Sequence, residues 1–306
     1  MHITVVIPTY NRAENLRLTL AALLGQTYKA FSVVVSDDGS TDHTAKVVDS
    51  YAKHLQIVSC RQNHDGYRVS KARNEGVKVA RVAFNPSHVL FVDSDVMLNP
   101  RALEHYGWLI RKLSKNAVVC GKYDWLPPMN LTPERVLNDW DGIVKEWEAF
   151  VGCILTDNFH VVDVLKRWPG LPEREGIPFV GGNAGRDPRL MSRPDSWYNC
   201  LELRVARGAT LSGNLLVPIP ILDATGGFDE AIKDQGQDGE FSYNLWSKGY
   251  KATMCGHSYG LHVFHPRDPD KLLASAKRTI QYIHKKYNVP LKEVPSWWHR
   301  KDLENA

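Results

Sequence analysis

His88-Val89-Leu90-Phe91-Val92-Asp93-Ser94-Asp95 decides the fold: an apolar run that stops abruptly at two carboxylates. A short, continuous apolar run closed by polar residues reads as a strand buried on both faces of a sheet. Working outward from it, the same pattern recurs. Residues 2–8 (HITVVIP) run into Thr9-Tyr10-Asn11, and residues 31–36 (FSVVVS) into Asp37-Asp38-Gly39-Ser40; residues 55–60 form a shorter third run. Helical sequence separates the runs. Leu16, Leu20, Leu23 and Leu24 share one helix face, with Asn11 as its expected N-cap and Gly25 as its stop. Further helices are predicted over 41–53 and 70–81, and Asn99-Pro100 opens another. Regular alternation of this kind predicts an α/β fold with a parallel sheet and right-handed crossovers. In such sheets ligands bind beyond the carboxyl ends of the strands, which is where these polar clusters fall.

The alternation stops near residue 125. Residues 126–200 are rich in Pro, Trp, Gly and Asn, with a weak helix near 132–150. Residues 170–195 form a long loop that reads either as a lid over a site or as an insertion without a role. Residues 211–222 return to strand-like sequence, 238–248 form a helix ended by Gly249, 250–257 a short strand, and 269–286 an amphipathic helix.

Composition is that of a globular chain, 43% hydrophobic and 24% charged, which excludes disordered, collagen-like and coiled-coil classes. The net charge of +4 is too small for a general nucleic-acid binder. All of it sits in residues 267–306, where nine basic residues face five acidic ones; the rest of the chain carries 29 of each sign. This tail, with Lys271, Lys277, Arg278, Lys285, Lys286 and Trp297-Trp298, reads as a solvated helix face that closes the fold. The rival reading is a peripheral surface for anionic lipid or an anionic acceptor. Five cysteines without a CxxC pair fit reduced thiols and a cytoplasmic setting. No signal-peptide pattern or bilayer-length apolar run is present, so a soluble protein is expected.

Four constellations carry chemistry. In an extended segment Asp93 and Asp95 would point to one side, a pair suited to Mg²⁺ or Mn²⁺; the plain reading is a strand-to-turn acid pair. Asp37-Asp38 exceeds what capping the next helix requires, and an acid there can accept hydrogen bonds from a ribose or a base. Asp238 and Glu240 open a helix after Gly226-Gly227-Phe228-Asp229-Glu230, either as acids favourable at a helix N-terminus or as a general base facing an acceptor. His262 and His265, three residues apart, add candidate metal ligands.

Together these residues resemble family 2 glycosyltransferases of the GT-A fold. The resemblance is carried by Val6-Ile7-Pro8-Thr9-Tyr10-Asn11-Arg12, Ser36-Asp37-Asp38-Gly39-Ser40-Thr41-Asp42, Ala72-Arg73-Asn74-Glu75-Gly76 and Phe91-Val92-Asp93-Ser94-Asp95. The second half, through Gly226–Glu230 and Asp238-Gly239-Glu240, is similar to chondroitin-type polymerases, polypeptide N-acetylgalactosaminyltransferases and β-1,4-galactosyltransferases. It implies a Rossmann-like, mostly parallel sheet with helices on both faces. It implies one catalytic domain over 1–266: a nucleotide-sugar half (1–125), an acceptor insertion (126–209) and an acceptor and metal half (210–266), followed by the helical tail 267–306. The implied activity is metal-dependent, inverting transfer of a hexosyl or N-acetylhexosaminyl group. The donor would be a nucleotide sugar, UDP-linked, and the acceptor a hydroxyl on a glycan, polysaccharide or other glycoconjugate. Pro8, Thr9, Tyr10, Asp38, Arg68, Asp93 and Ser94 would hold the donor, with Asp38 on the uracil edge. Asp95 would hold Mn²⁺ or Mg²⁺ with His262, His265 remaining open. Asp238, aligned with the base, and Glu240 would form the catalytic pair. The sequence departs from the pattern at Gln237, where relatives have Glu. The alternatives are a nucleotidyltransferase-like enzyme, a retaining transferase of this fold, and an inactive binding module.

Overall fold

A computed structural model describes residues 2–113, 117–126, 129–155, 212–233, 235–250, 252–263, 265 and 269–291. The expected loop 170–195, and Trp168, Trp197, Trp297 and Trp298, lie outside them. Four strands, β1 (Ile3–Thr9), β2 (Phe31–Asp37), β3 (Ile57–Arg61) and β4 (His88–Val92), lie parallel in the order β3-β2-β1-β4. Helices α1 (Ala13–Leu24), α2 (Thr44–Tyr51) and α3 (Val69–Phe84) connect them. The register pairs Thr9 with Asp37 and Asp37 with Arg61, so the polar clusters fall on one sheet edge.

Beyond β4 the sheet is mixed. β7 (Asn214–Pro218) lies antiparallel between β4 and β6 (Val118–Trp125); β8 (Ala252–His262) follows parallel to β6, and β5 (Val96–Leu98) ends the order antiparallel. Continuous apolar runs mark buried strands but do not say which strands pair or in what direction, so neither β5 nor the insertion of β7 was foreseen. The strand-like stretch 211–222 in fact splits into β7 and α7 (Ile219–Thr225), which Gly226 ends in the left-handed region (φ 77°).

Alternate residues of each strand feed two cores. Ile3, Val5, Ile7, Val33, Val35, Leu90 and Val92 pack with α1, α2, α4 (Ala102–Lys112), α5 (Pro133–Asn138) and α6 (Trp140–Leu155). Val6, Val34, Val89, Phe91, Leu215 and Val217 pack with α3, α7 and α8 (Gln237–Ser247). This period-two division makes the GT-A architecture: a mostly parallel sheet with helices on both faces. Trp140 and Trp147, both on α6, belong to the first core.

Asn11 does not cap α1. It sits at φ 48°, and its side-chain oxygen accepts from Thr41 N (2.7 Å) and Asp42 N (3.3 Å). The α1 start is served from elsewhere: Ala13 N donates to Asp42 Oδ2 at 3.0 Å, while Asp42 Oδ1 accepts from Thr44 N at 3.0 Å in α2. Burial alone would raise the Asp42 pKa, but these bonds outweigh it and the net shift is downward.

Gly121 in β6 faces a buried network in which Tyr106 donates to Asn214 (2.7 Å) and Asn214 to the Ser258 carbonyl (2.6 Å). A methyl there would collide with all three groups. Gly121→Ala is expected to cost about 1–3 kcal/mol by overpacking, read as a lowered urea midpoint.

Candidate active site

The segment 93–95 is a turn, not an extended strand, and its two carboxylates part company. Asp95 goes to the histidines. Val96 pairs with His262 across β5 and β8, and Val263 N donates to the Asp95 carbonyl at 2.8 Å, so sheet register alone brings Asp95 beside His262. His262 Nε2 and His265 Nε2 each lie 3.3 Å from an Asp95 oxygen, and ligand atoms of all three fall within 4.8 Å of one another. His262 Nδ1 lies 2.9 Å from the Val263 carbonyl, a contact that suits an N–H there and leaves the Nε2 lone pair facing Asp95. A carboxylate and imidazole nitrogens converging on one point in a buried setting fit a cation.

Asp93 goes instead to Arg73, whose Nη2 donates to Asp93 Oδ1 at 2.8 Å. The Arg73 side chain, on α3, is 1% exposed and stacks over the Phe228 ring, with its guanidinium carbon 5.0 Å from the centroid. Its Nη1 faces Asp238 Oδ1 at 3.8 Å, and Asp238 also accepts from the Ser212 hydroxyl. One buried guanidinium therefore faces the acid of the strand-end turn and the acid of α8. Burial pushes the Asp238 carboxyl above its ordinary value, and the Arg73 charge opposes that rise. Gly213 makes room for the junction: a side chain there would press on Asp93 and Tyr123.

Asn74, next to Arg73, accepts from Phe228 N (2.9 Å) and donates to the Phe228 carbonyl (2.8 Å) and to Glu230 Oε1 (2.9 Å). It thus fixes the glycine-rich segment 226–230 to α3. Gly227, at φ 77°, leaves the space that Asn74 fills.

The edge near Tyr10 forms a second cluster. Tyr10, 39% exposed, stacks on His64 with ring centroids 3.8 Å apart and planes 3° off parallel. Asp38 Oδ1 accepts from Gln62 Nε2 at 2.5 Å, and its Oδ2 lies 3.6 Å from His64 Nδ1. Asp37 caps its own turn by accepting from Ser40 N at 2.8 Å. Pro8 is a buried residue of β1, and the Thr9 hydroxyl is buried without a hydrogen-bond partner. The Ser94 carbonyl accepts from Thr19 Oγ1 (3.0 Å), tying the turn to α1. Arg68, just before α3, lies 3.3 Å from Asp65.

Glu240 is not brought to this edge. Its side chain is buried and accepts from Lys286 Nζ (2.5 Å) and Tyr287 OH (2.6 Å) of α9 (Pro269–Tyr287). Successive helix residues turn by about 100°, so Asp238 and Glu240 point to nearly opposite sides of α8. Residues that sequence reasoning missed are Gln62, His64 and Ser212, and the roles of Arg73 and Asn74. Only the last two carried a signal, the Ala72–Gly76 motif.

The fold is that of the GT-A class. The comparisons are more specific: residues 4–151 match the model described as Glycosyl transferase family 2, and that part of the chain is a family 2 glycosyltransferase region. A validoxylamine A glucosyltransferase of Streptomyces hygroscopicus subsp. jinggangensis (strain 5008) is 31% identical over 281 residues, 89% of this chain and 58% of that protein. Chondroitin synthase of Pasteurella multocida (strain Pm70) is 27% identical over 296 residues, 94% of this chain and 27% of that protein. The chain thus spans little more than half of the first relative and about a quarter of the second. The crystal structure of S. aureus TarS 1-349 in complex with UDP-GlcNAc shares the fold, with a TM-score of 0.55 and 18% identity over 93% of this chain and 67% of that one.

Proposed function

We propose that the protein is a metal-dependent, inverting glycosyltransferase that moves a hexosyl or N-acetylhexosaminyl group from a UDP-linked sugar to a hydroxyl of a glycan or glycoconjugate. The observation that carries this reading is the convergence of Asp95, His262 and His265 on the same sheet edge as the Arg73-linked pair Asp93 and Asp238. Asp95, His262 and His265 would hold the metal, and their mixed nitrogen and oxygen donors suit Mn²⁺ better than Mg²⁺, which prefers oxygen alone. Bound there, the ion supplies a positive charge that offsets the charge developing on the departing diphosphate.

The chain's own groups do the rest. Tyr10, Pro8 and Thr9 line the base side, with Asp38 held in place by Gln62, and Arg68 and Ser94 flank the donor. Asp93, fixed by Arg73, addresses the ribose side. Asp238 Oδ takes the proton of the acceptor hydroxyl as that oxygen attacks the anomeric carbon, while Ser212 and Arg73 orient the carboxylate. A single base supports inversion: Glu240 is bound by α9 and Asp93 by Arg73, which leaves Asp238 for that role. The tail is better read as a fold-closing element than as a lipid surface, because Lys286 is bound to Asp229 and Glu240. Among the described residues no helix is long and apolar enough to cross a membrane.

The test is product analysis with a panel of UDP- and GDP-sugars and Mn²⁺. Free nucleoside diphosphate and a sugar of inverted anomeric configuration are expected; pyrophosphate would indicate nucleotidyl transfer instead. EDTA is expected to abolish turnover and Mn²⁺ to restore it. His262→Ala is expected to weaken Mn²⁺ binding, measured by titration calorimetry, by at least about tenfold. Full turnover in excess EDTA removes the metal from the reading.

A further inference from the structure

We propose that α9 is a clamp on the helix carrying the base, and that Lys286 is its positioning residue; this rests on the reading of Asp238 given above. The start of α8 has weak local support. Gly236, at φ 108°, precedes it without any side-chain cap. Support comes from α9 instead. Thr279 and Ser275 both donate their hydroxyls to the Gln235 carbonyl, at 2.7 and 3.0 Å, and Thr279 occupies the space left by the missing Gly236 side chain.

Eleven residues after Ser275 the same helix grips twice more. Lys286 Nζ donates to Asp229 Oδ2 at 2.6 Å and to Glu240 Oε1 at 2.5 Å, Tyr282 OH donates to Asp229 Oδ2 at 2.7 Å, and Tyr287 OH to Glu240 Oε1 at 2.6 Å. Glu240 is 0% exposed, so these donors take the place of water at its Oε1. Burial works against the Lys286 ammonium, but its two carboxylates outweigh that and raise its pKa.

These contacts close a ring. Asn74 ties α3 to the segment 226–230, Asp229 of that segment meets Lys286 of α9, Lys286 meets Glu240 of α8, and Asp238 of α8 faces Arg73 of α3. Phe228 lies inside the ring, under Arg73 and stacked on Phe241 (centroids 4.4 Å apart). Lys286 is the member that joins two carboxylates on separate segments. Without it the first turn of α8 loses its tie to the segment 226–230, and Asp238 shifts from the position that Arg73 and Ser212 define. Misplacement of a reacting group by about 1 Å is enough to lose about 10²-fold in rate.

The full chain is tested as wild type, Lys286→Met, Lys286→Arg, Tyr282→Phe and Thr279→Val, with Asp238→Asn in parallel. Turnover is read as UDP release from the UDP-sugar selected by the panel, donor affinity by titration with UDP and Mn²⁺, and helix order by amide exchange over residues 235–242. Lys286→Met is expected to lose about 10–100-fold in kcat with UDP affinity within about twofold, and to quicken exchange in that segment. Lys286→Arg, whose fork reaches two carboxylates, restores most of the rate. Should Lys286→Met fail to fold, Tyr282→Phe and Thr279→Val, which leave no charge unpaired, carry the test with smaller losses of the same kind. Unchanged kcat and exchange in folded variants overturns the clamp, as does an equal fall in kcat and UDP affinity. If Asp238→Asn retains full turnover, the base assignment falls instead, and amide exchange still judges the clamp.

Discussion

Asp238→Asn is expected to lower turnover by about 10²–10⁴-fold while UDP–Mn²⁺ affinity stays within about twofold, since general-base catalysis contributes on that scale. The asparagine keeps the shape and still accepts from Ser212, but it takes no proton. The fold is expected to survive. Asp238 is a part-buried carboxyl whose charged form is disfavoured by its surroundings, and the neutral amide carries no such cost. The wild-type rate has its own signature: the acidic limb of kcat lies above the ordinary aspartate value of 3.8, and activity falls as pH drops through it. A variant with near-normal kcat, measured by UDP release, would remove Asp238 from the role of base.

The largest stability effect is expected at Arg73. Arg73→Met deletes a charge that is buried beside Asp93 at 2.8 Å and Asp238 at 3.8 Å, and leaves both carboxylates without it. Breaking one side of a buried ion pair costs about 3–5 kcal/mol, a large share of the about 5–15 kcal/mol that holds a domain together. Urea unfolding reads this as a fall in midpoint. Asp93→Asn in the same chain is expected to recover part of the loss, because one of the stranded charges is then gone. Any residual turnover should show an acidic limb displaced to higher pH, since the charge that stabilised ionised Asp238 has been removed. A loss below about 1 kcal/mol would show that the guanidinium contributes no more than an exposed pair does. Arg73→Lys is not a neutral control: a single ammonium cannot stack on Phe228 while addressing both acids.

Much of the N-terminal half of the fold was legible because β1, β2 and β4 are buried on both faces, and such strands are written as unbroken apolar runs closed by polar residues. Their ends fixed where Tyr10, Asp38 and Asp95 would sit. What the sequence did not show was long-range pairing. Asp93 and Asp95 read as one unit because they are two residues apart, yet a turn sends one to α3 and the other to β8. The Asn74 contact spans 154 residues, and no local pattern announces it. Glu240 read as catalytic because it shares a helical turn with Asp238; only the placement of α9 shows that the two acids serve opposite sides. Asn11 read as a cap because it sits where a cap belongs, but its left-handed backbone turns its side chain to the 41–42 turn, and Asp42 serves the helix.

The place of β7 has a consequence for synthesis. The strand that completes the middle of the sheet, antiparallel beside β4, leaves the ribosome 126 residues after β4 ends at Val92, counting to Pro218. At about 5–20 residues per second that is a wait of about 6–25 s. Throughout it, the β4 edge, with Val89, Leu90 and Phe91, is an unpaired template for another chain. The last strand pairing of the sheet centre is therefore a slow, non-local event, and the β4 edge is a site for aggregation until residue 218 has emerged.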